Sequence, residues 1–324
     1  MLALAIGVLG LAVLASVAFG TRPVSAAEVV SALTGGGDGS VAEAAVLQRI
    51  PRTVLAMLIG AALALAGTAM QAVTRNPLAD PGILGVSAGA ALAVVVGIVF
   101  LGVTGPVGYI VAAMIGAAAA AAAVYTIGSL GQGGASPLKL ALAGAATTAA
   151  FMSLISAILL PRVDVMTTFR FWQVGGVGGA DWGRIGAVAP FLLVGALVVA
   201  GMARAMNSLA LGDDLAAGLG VHVARTRLVA WVGAVVLAGA ATAVAGPIAF
   251  LGLVVPHAAR LAVGTDHRWL LPTSAVAGAA LLTIADVVGR VIARPAEIEV
   301  GIITALIGAP VFIALVRGLR VREL

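Results

Sequence analysis

The chain has 324 residues, 62% of them apolar and only 10% Asp, Glu, Lys or Arg, against roughly 25% charged residues in soluble domains. Its mean hydropathy of +1.17 is more than a soluble fold can hide, which excludes a soluble enzyme, a disordered chain and a nucleic-acid binder. The net charge of +5 is loop charge, because all but one of the 18 cations are arginines scattered at the ends of apolar runs.

The runs are about 20 residues long and rich in Ala and Gly, so they read as spanning helices and not as barrel strands. An all-α, polytopic membrane protein is expected, as one transmembrane domain over 1–324. Ten candidate helices follow in order, at about 2–20, 53–73, 83–101, 107–130, 138–160, 185–204, 227–245, 247–262, 270–292 and 299–317. The first precedes Pro23-Val24-Ser25-Ala26-Ala27, which resembles a signal-peptidase site, but no basic stretch comes before it. It therefore reads as a first transmembrane helix. The eighth is short and opens on Gly246-Pro247, so a re-entrant segment competes with a full span.

Loop charge orients the chain. Arg204, Arg225 and Arg227, with Arg317, Arg320 and Arg322, are expected in the cytoplasm, together with Arg75, Lys139, Arg260 and Arg268. Both termini then fall inside. Loops at about 21–50 and 161–184 fall outside, with Arg22, Arg49, Arg52, Arg162, Arg170, Arg184, Arg290 and Arg294. The inside bias is weak, and snorkelling accounts for an outer arginine as well as any specific role does. The 21–50 loop carries a glycine-rich turn around Asp38, and the 161–184 loop carries Phe169, Phe171, Trp172 and Trp182 among four glycines. Those aromatics suit a membrane interface, and the glycines leave a moving lid open.

Pro77-Leu78-Ala79-x-x-Gly82 recurs 170 residues on as Pro247-Ile248-Ala249-x-x-Gly252. Five helices separate the copies, so the second is inverted. Helices two to five and seven to ten are therefore expected to form an inverted repeat broken at matching points.

Chemistry-bearing motifs are few. Gly85-Val86-Ser87-Ala88-Gly89 fits a nucleophile elbow, but it opens an apolar helix and equally reads as G-x-x-x-G packing. There is no Walker A motif, the single lysine being Lys139 outside any such frame. His222, His257 and His267 are too scattered for a metal site, so no cofactor is expected on this chain. Asp286 and Arg290 share one helical face, as a salt bridge or as part of the outer mouth. Leu211, Leu215 and Leu219 form a stripe at four-residue spacing behind Asp213 and Asp214, ending at Gly218 and Gly220. Acidic residues suit a helix N-terminus and make a protein groove a better host than a lipid surface.

Longer motifs then fall in order. They are Arg49-Ile50-Pro51-Arg52, Gln71, Asn76-Pro77-Leu78-Ala79-Asp80-Pro81-Gly82-Ile83-Leu84-Gly85, Leu211-Gly212-Asp213-Asp214, Gly246-Pro247-Ile248-x-Phe250-Leu251-Gly252-Leu253 with Pro256-His257, and Gly308-Ala309-Pro310-Val311-Phe312. Over about residues 45–318 the chain strongly resembles permease subunits of bacterial type II ABC importers for iron–siderophore, haem and cobalamin. The resemblance implies a homodimer or heterodimer of ten-helix subunits in the cell membrane, with the substrate path at their interface. Two ATPase subunits carrying ATP and magnesium would dock inside, and an extracytoplasmic binding protein outside. It implies a coupling helix over about 211–221, through Leu211, Asp213, Asp214, Leu215, Gly218, Leu219 and Gly220. It also implies docking arginines at Arg49, Arg52 and Arg290, and a cytoplasmic gate at Asn76 and Leu78. A further family gate before helix five does not transfer onto Ser136-Pro137-Leu138-Lys139. Ferric siderophore is the expected cargo. Met57, Met70, Met152 and Met166 keep haem open, cobalamin remains open with it, and an ion-coupled secondary transporter or a Ser87 hydrolase are the rivals of other classes.

Overall fold

In the computed structural model, residues 1–35, 39–130 and 137–320 are described; Asp38, Ser136 and Arg322 lie outside them. The first long helix after α1 (Leu2–Ala18) is α3 (Val41–Thr74), and the short α2 (Ala26–Thr34) lies between them. Next come α4 (Val86–Phe100), α5 (Gly105–Ser129), α6 (Pro137–Leu159), α7 (Val163–Val174) and α8 (Trp182–Gly201). The short α9 (Ala203–Leu209) and α10 (Asp213–Gly218) lead to α11 (Val223–Ala245), α12 (Leu251–Val263), α13 (His267–Ile292) and α14 (Val300–Arg320). Among the described residues there is no strand, and six helices are long and apolar enough to cross a membrane. The shorter apolar helices α1, α4, α12 and α14 occupy the remaining four runs.

Two expected loops are partly helical. The 21–50 stretch holds α2 and the first turns of α3, because Ser25 and Ser40 each accept a hydrogen bond from the backbone N–H of the glutamate three residues on. The 161–184 stretch holds α7, whose Phe169 is buried on Ala91 and Val95 of α4. The expected 211–221 helix is shorter, because Gly212 at φ 114° and Gly220 at φ 81° bracket it.

Small residues bring the helices together. Gly60 meets Gly278, Gly67 meets Gly252 and Gly89 meets Gly116, each pair so close that a methyl on either would collide with the other strand of backbone or its neighbouring side chain. The Gly85–Gly89 motif thus serves packing of α4 on α5. The contacts repeat between halves: α3 packs on α13 as α11 packs on α5, and α4 packs on α5 as α12 packs on α13. This pattern matches an inverted repeat.

Each repeat contains one broken crossing. With 15 and 13 residues, α4 and α12 span about 20 Å at 1.5 Å per residue, short of a roughly 30 Å hydrocarbon core. An irregular segment precedes each: 75–85, with a 3-10 turn at Pro81–Leu84, and 246–250. Unpaired backbone at that depth is tolerated only inside protein or beside a cavity, and both segments line one cavity of about 720 Å3.

Candidate translocation and coupling sites

Three places carry the candidate residues: the shared cavity, the end of the bundle bearing α10, and the opposite end bearing α2.

The cavity is lined by Asp80, Ser87, Thr148, Thr242, Phe250 and Phe312, among others. The Asp80 carboxylate accepts the Gly82 N–H at 2.7 Å and caps the 3-10 turn. Its other oxygen lies against Gly252, where a side chain would meet it. The two broken segments therefore touch. Gln71 ties the adjoining helices α3 and α12: Arg260 of α12 donates to its Oε1 at 2.9 Å. Asn76 Oδ1 accepts the Leu78 N–H at 2.9 Å, so the two gate candidates form one small turn, half-buried, at the foot of α3. Ser87 lines the cavity on α4, and sequence reasoning did not pair it with Asp80, since the pairing depends on the fold.

At the α10 end, the two acidic residues diverge. Asp213 turns inward: its Oδ1 accepts from Arg227 Nη2 at 3.0 Å and also from Arg75 Nη2. Asp214 is exposed. Leu211, Leu215 and Leu219 are 57%, 63% and 65% exposed, an apolar ridge standing off the bundle while Ala216 beneath is buried. Gly218 ends α10 and Gly220 turns the chain back. The preceding α9 is anchored as well. Asn207 donates to Asp266 at 2.6 Å and accepts the His267 N–H at 2.8 Å. Hydrogen bonds from Arg268, then from Asn207, hold the Asp266 carboxyl well below the usual carboxylate range.

At the opposite end, the three arginines expected to dock a partner are differently placed. Arg49 is 6% exposed and Arg290 is 2% exposed. Arg49 donates to the carbonyls of Val17, Ala18 and Arg22, and Arg290 to those of Ser16 and Phe19. The final carbonyls of a helix have no partner of their own and carry negative partial charge, so these two guanidinium groups cap α1. The N–H groups that make these bonds are therefore turned into the chain. Asp286 sits between Arg52 at 2.8 Å and Arg290 at 2.9 Å, so the Asp286–Arg290 pair is a buried bridge inside a larger network. Arg52 alone of the three reaches outward, to Glu297 at 2.8 Å. All three line a cavity of about 610 Å3 shared with Arg22.

Sequence reasoning also missed Glu299. Its Oε2 is buried without a hydrogen-bond partner, in the space that the bare Cα of Gly176 leaves. Burial pushes this carboxyl up from its ordinary range, against the opposing charge of Arg52. It shares a cavity of about 340 Å3 with Trp172 and Arg184.

Residues 8–318 match the FecCD transport family. The chain belongs to the FecCD transport family. It is 45% identical to the ferric enterobactin transport system permease protein FepD of Escherichia coli (strain K12), over 93% of this chain and 90% of that one. It is 41% identical to the hemin transport system permease protein HmuU of Yersinia pestis, over 85% and 83% of the two chains. A structure described as an inward-facing metal-chelate type ABC transporter superposes with a TM-score of 0.82, at 27% identity and 98% coverage of both chains. This FecCD chain is a multi-pass membrane permease subunit of an importer. Its resemblance to that family over most of its length is confirmed.

Proposed function

We propose that this chain is the permease of an ATP-driven importer for a ferric siderophore, and that it does no covalent chemistry itself. The observation that carries the coupling reading is the exposed leucine ridge of α10. Three leucines more than half exposed on a short cytoplasmic turn fit an apolar cleft on an ATPase subunit, where ATP and magnesium would be held. On this reading the α10 end faces the cytoplasm, with both termini, and the α2 end receives the binding protein. Docking at that end falls first to Arg52 and the rim around it, with Arg49 and Arg290 holding α1 beneath. A second permease subunit, identical or related, would complete the path along the face carrying Asp80, Ser87 and Thr148.

Ferric siderophore is preferred because FepD, whose name specifies ferric enterobactin, is 45% identical over nearly the whole chain. Haem is the second reading, favoured by the likeness to HmuU. Ion-coupled transport is disfavoured because Asp286 is neutralised by two arginines.

The test is reconstitution of the chain with its ATPase subunits and binding protein in proteoliposomes. ATP-dependent accumulation of a ferric siderophore in preference to haem or cobalamin is the expected result. Accumulation without any ATPase subunit would reject the reading.

A further inference from the structure

Arg75 connects the foot of α3 to the α9–α10 lever, and it is bonded on both sides of the joint in that lever. Its Nε donates to the Leu209 carbonyl at 2.9 Å, and its Nη2 pairs with Asp213. Leu209 closes α9 and Asp213 opens α10, so one guanidinium spans the joint between the two short helices. Its own backbone is in the left-handed region, at φ 49°, which a non-glycine residue rarely adopts without support from its surroundings. The residue after it is Asn76, the start of the irregular segment that continues through Leu78 to Asp80 and the cavity.

An ion pair about one-third to one-half exposed contributes little to stability. What it supplies is position. If α10 shifts, the Arg75 guanidinium, bonded to both Leu209 and Asp213, is drawn with them, and its backbone leads directly into Asn76. The other repeat is held by the same lever, through Asn207 to Asp266 and His267 at the start of α13. A displacement of α9–α10 is thus delivered to both halves, and Arg75 passes it to the residue that begins the cavity-lining irregular segment.

We propose that Arg75 is a positioning residue that carries movement of the α9–α10 lever into the 76–84 segment, through its bonds to Leu209 and Asp213. This rests on the reading of α10 as the ATPase-coupling element. Asp213 then acts inside the permease, and Asp214 and the leucine ridge face the partner.

The experiment uses the whole importer, reconstituted with its ATPase subunits and binding protein, and compares cargo moved per ATP hydrolysed. Arg75→Gln is expected to co-purify with the ATPase and hydrolyse ATP as the parent does, while cargo per ATP falls about tenfold, the size of a typical coupling energy. Arg75→Lys, which keeps the charge but not both bonds, should recover part of the loss. Arg75→Gln combined with Asp213→Ala should transport no worse than Arg75→Gln alone, because both remove one linkage. Parental cargo per ATP in Arg75→Gln would overturn the proposal. So would loss of ATPase co-purification, which would make Arg75 a docking group. Should Arg75→Gln not be recovered folded, Asp213→Ala decides, since it removes the oxygen that Arg75 bonds and spares the Leu209 carbonyl; a parental ratio there rejects the joint. A parent complex with no ATP-dependent uptake would instead reject the importer reading itself.

Discussion

Gly67 is read from the sequence as one small residue in an apolar run, and only the fold gives it a partner. A methyl there would run into the Gly252 carbonyl. The obstacle is backbone, which cannot swing aside as a side chain tip does. Gly67→Ala should therefore lower stability by about 1–3 kcal/mol, the usual cost of overpacking, read as a lower melting temperature of the purified protein. Gly7→Ala, with open space around it, should not lower it. Glu299 gives a second prediction. Its folded carboxyl titrates above the unfolded one because burial disfavours the charge. Stability from the protonated form is fully present below the unfolded carboxylate range and is lost as pH rises through the folded value. Arg52, Glu297, Asp286 and Arg184 surround it. Glu299→Gln should flatten the fall in melting temperature between acid and neutral pH, and an unchanged pH profile would contradict this.

At the scale of the element, α10 is a short helix whose two faces do different work. Ala216 packs inward and Asp213 is held by two arginines, while the leucines stand clear. Leu215→Asp should leave the permease folded, because the side chain touches no core. It should abolish co-purification with the ATPase subunits, because a buried unpaired carboxylate at the interface costs several kcal/mol. Retained co-purification would show that the ridge is not the contact. The four-residue leucine spacing was legible in the sequence. The inward turn of Asp213 was not, since Arg75 lies 138 positions away and nothing local links them. The bonding of the expected docking arginines was hidden for a related reason. Their motif spacing identified them as outer cations, but α1 ends beside them, and its unpaired carbonyls take up Arg49 and Arg290.

For the whole molecule, the apolar faces describe its surroundings. Leu4 and Leu11 on α1, Ile115 on α5 and Leu193 and Leu197 on α8 are all exposed, and only lipid or another apolar surface can cover them. Inside, some polar groups are paired across helices: Ser16 bonds Thr53 at 2.6 Å and receives Arg290 at 2.7 Å. An element with unpaired ends is confined to the protein interior, which is why the two broken crossings meet around one cavity. The inverted repeat sets this geometry, because inversion brings a segment entering from one face against a segment entering from the other.

Hydropathy determined by itself that the chain is a helical membrane protein, since transfer of apolar side chains is local and additive along the sequence. Motif order determined the family, and the matching Pro-x-Ala-x-x-Gly segments located both helix breaks. Tertiary structure alone decided which charges are bonded within the chain. Arg49, Arg290 and Asp213 each bond a group distant in sequence. A charge in a low-dielectric setting takes whatever partner lies within a few ångströms, and that distance is set by the packing of helices and not by their order.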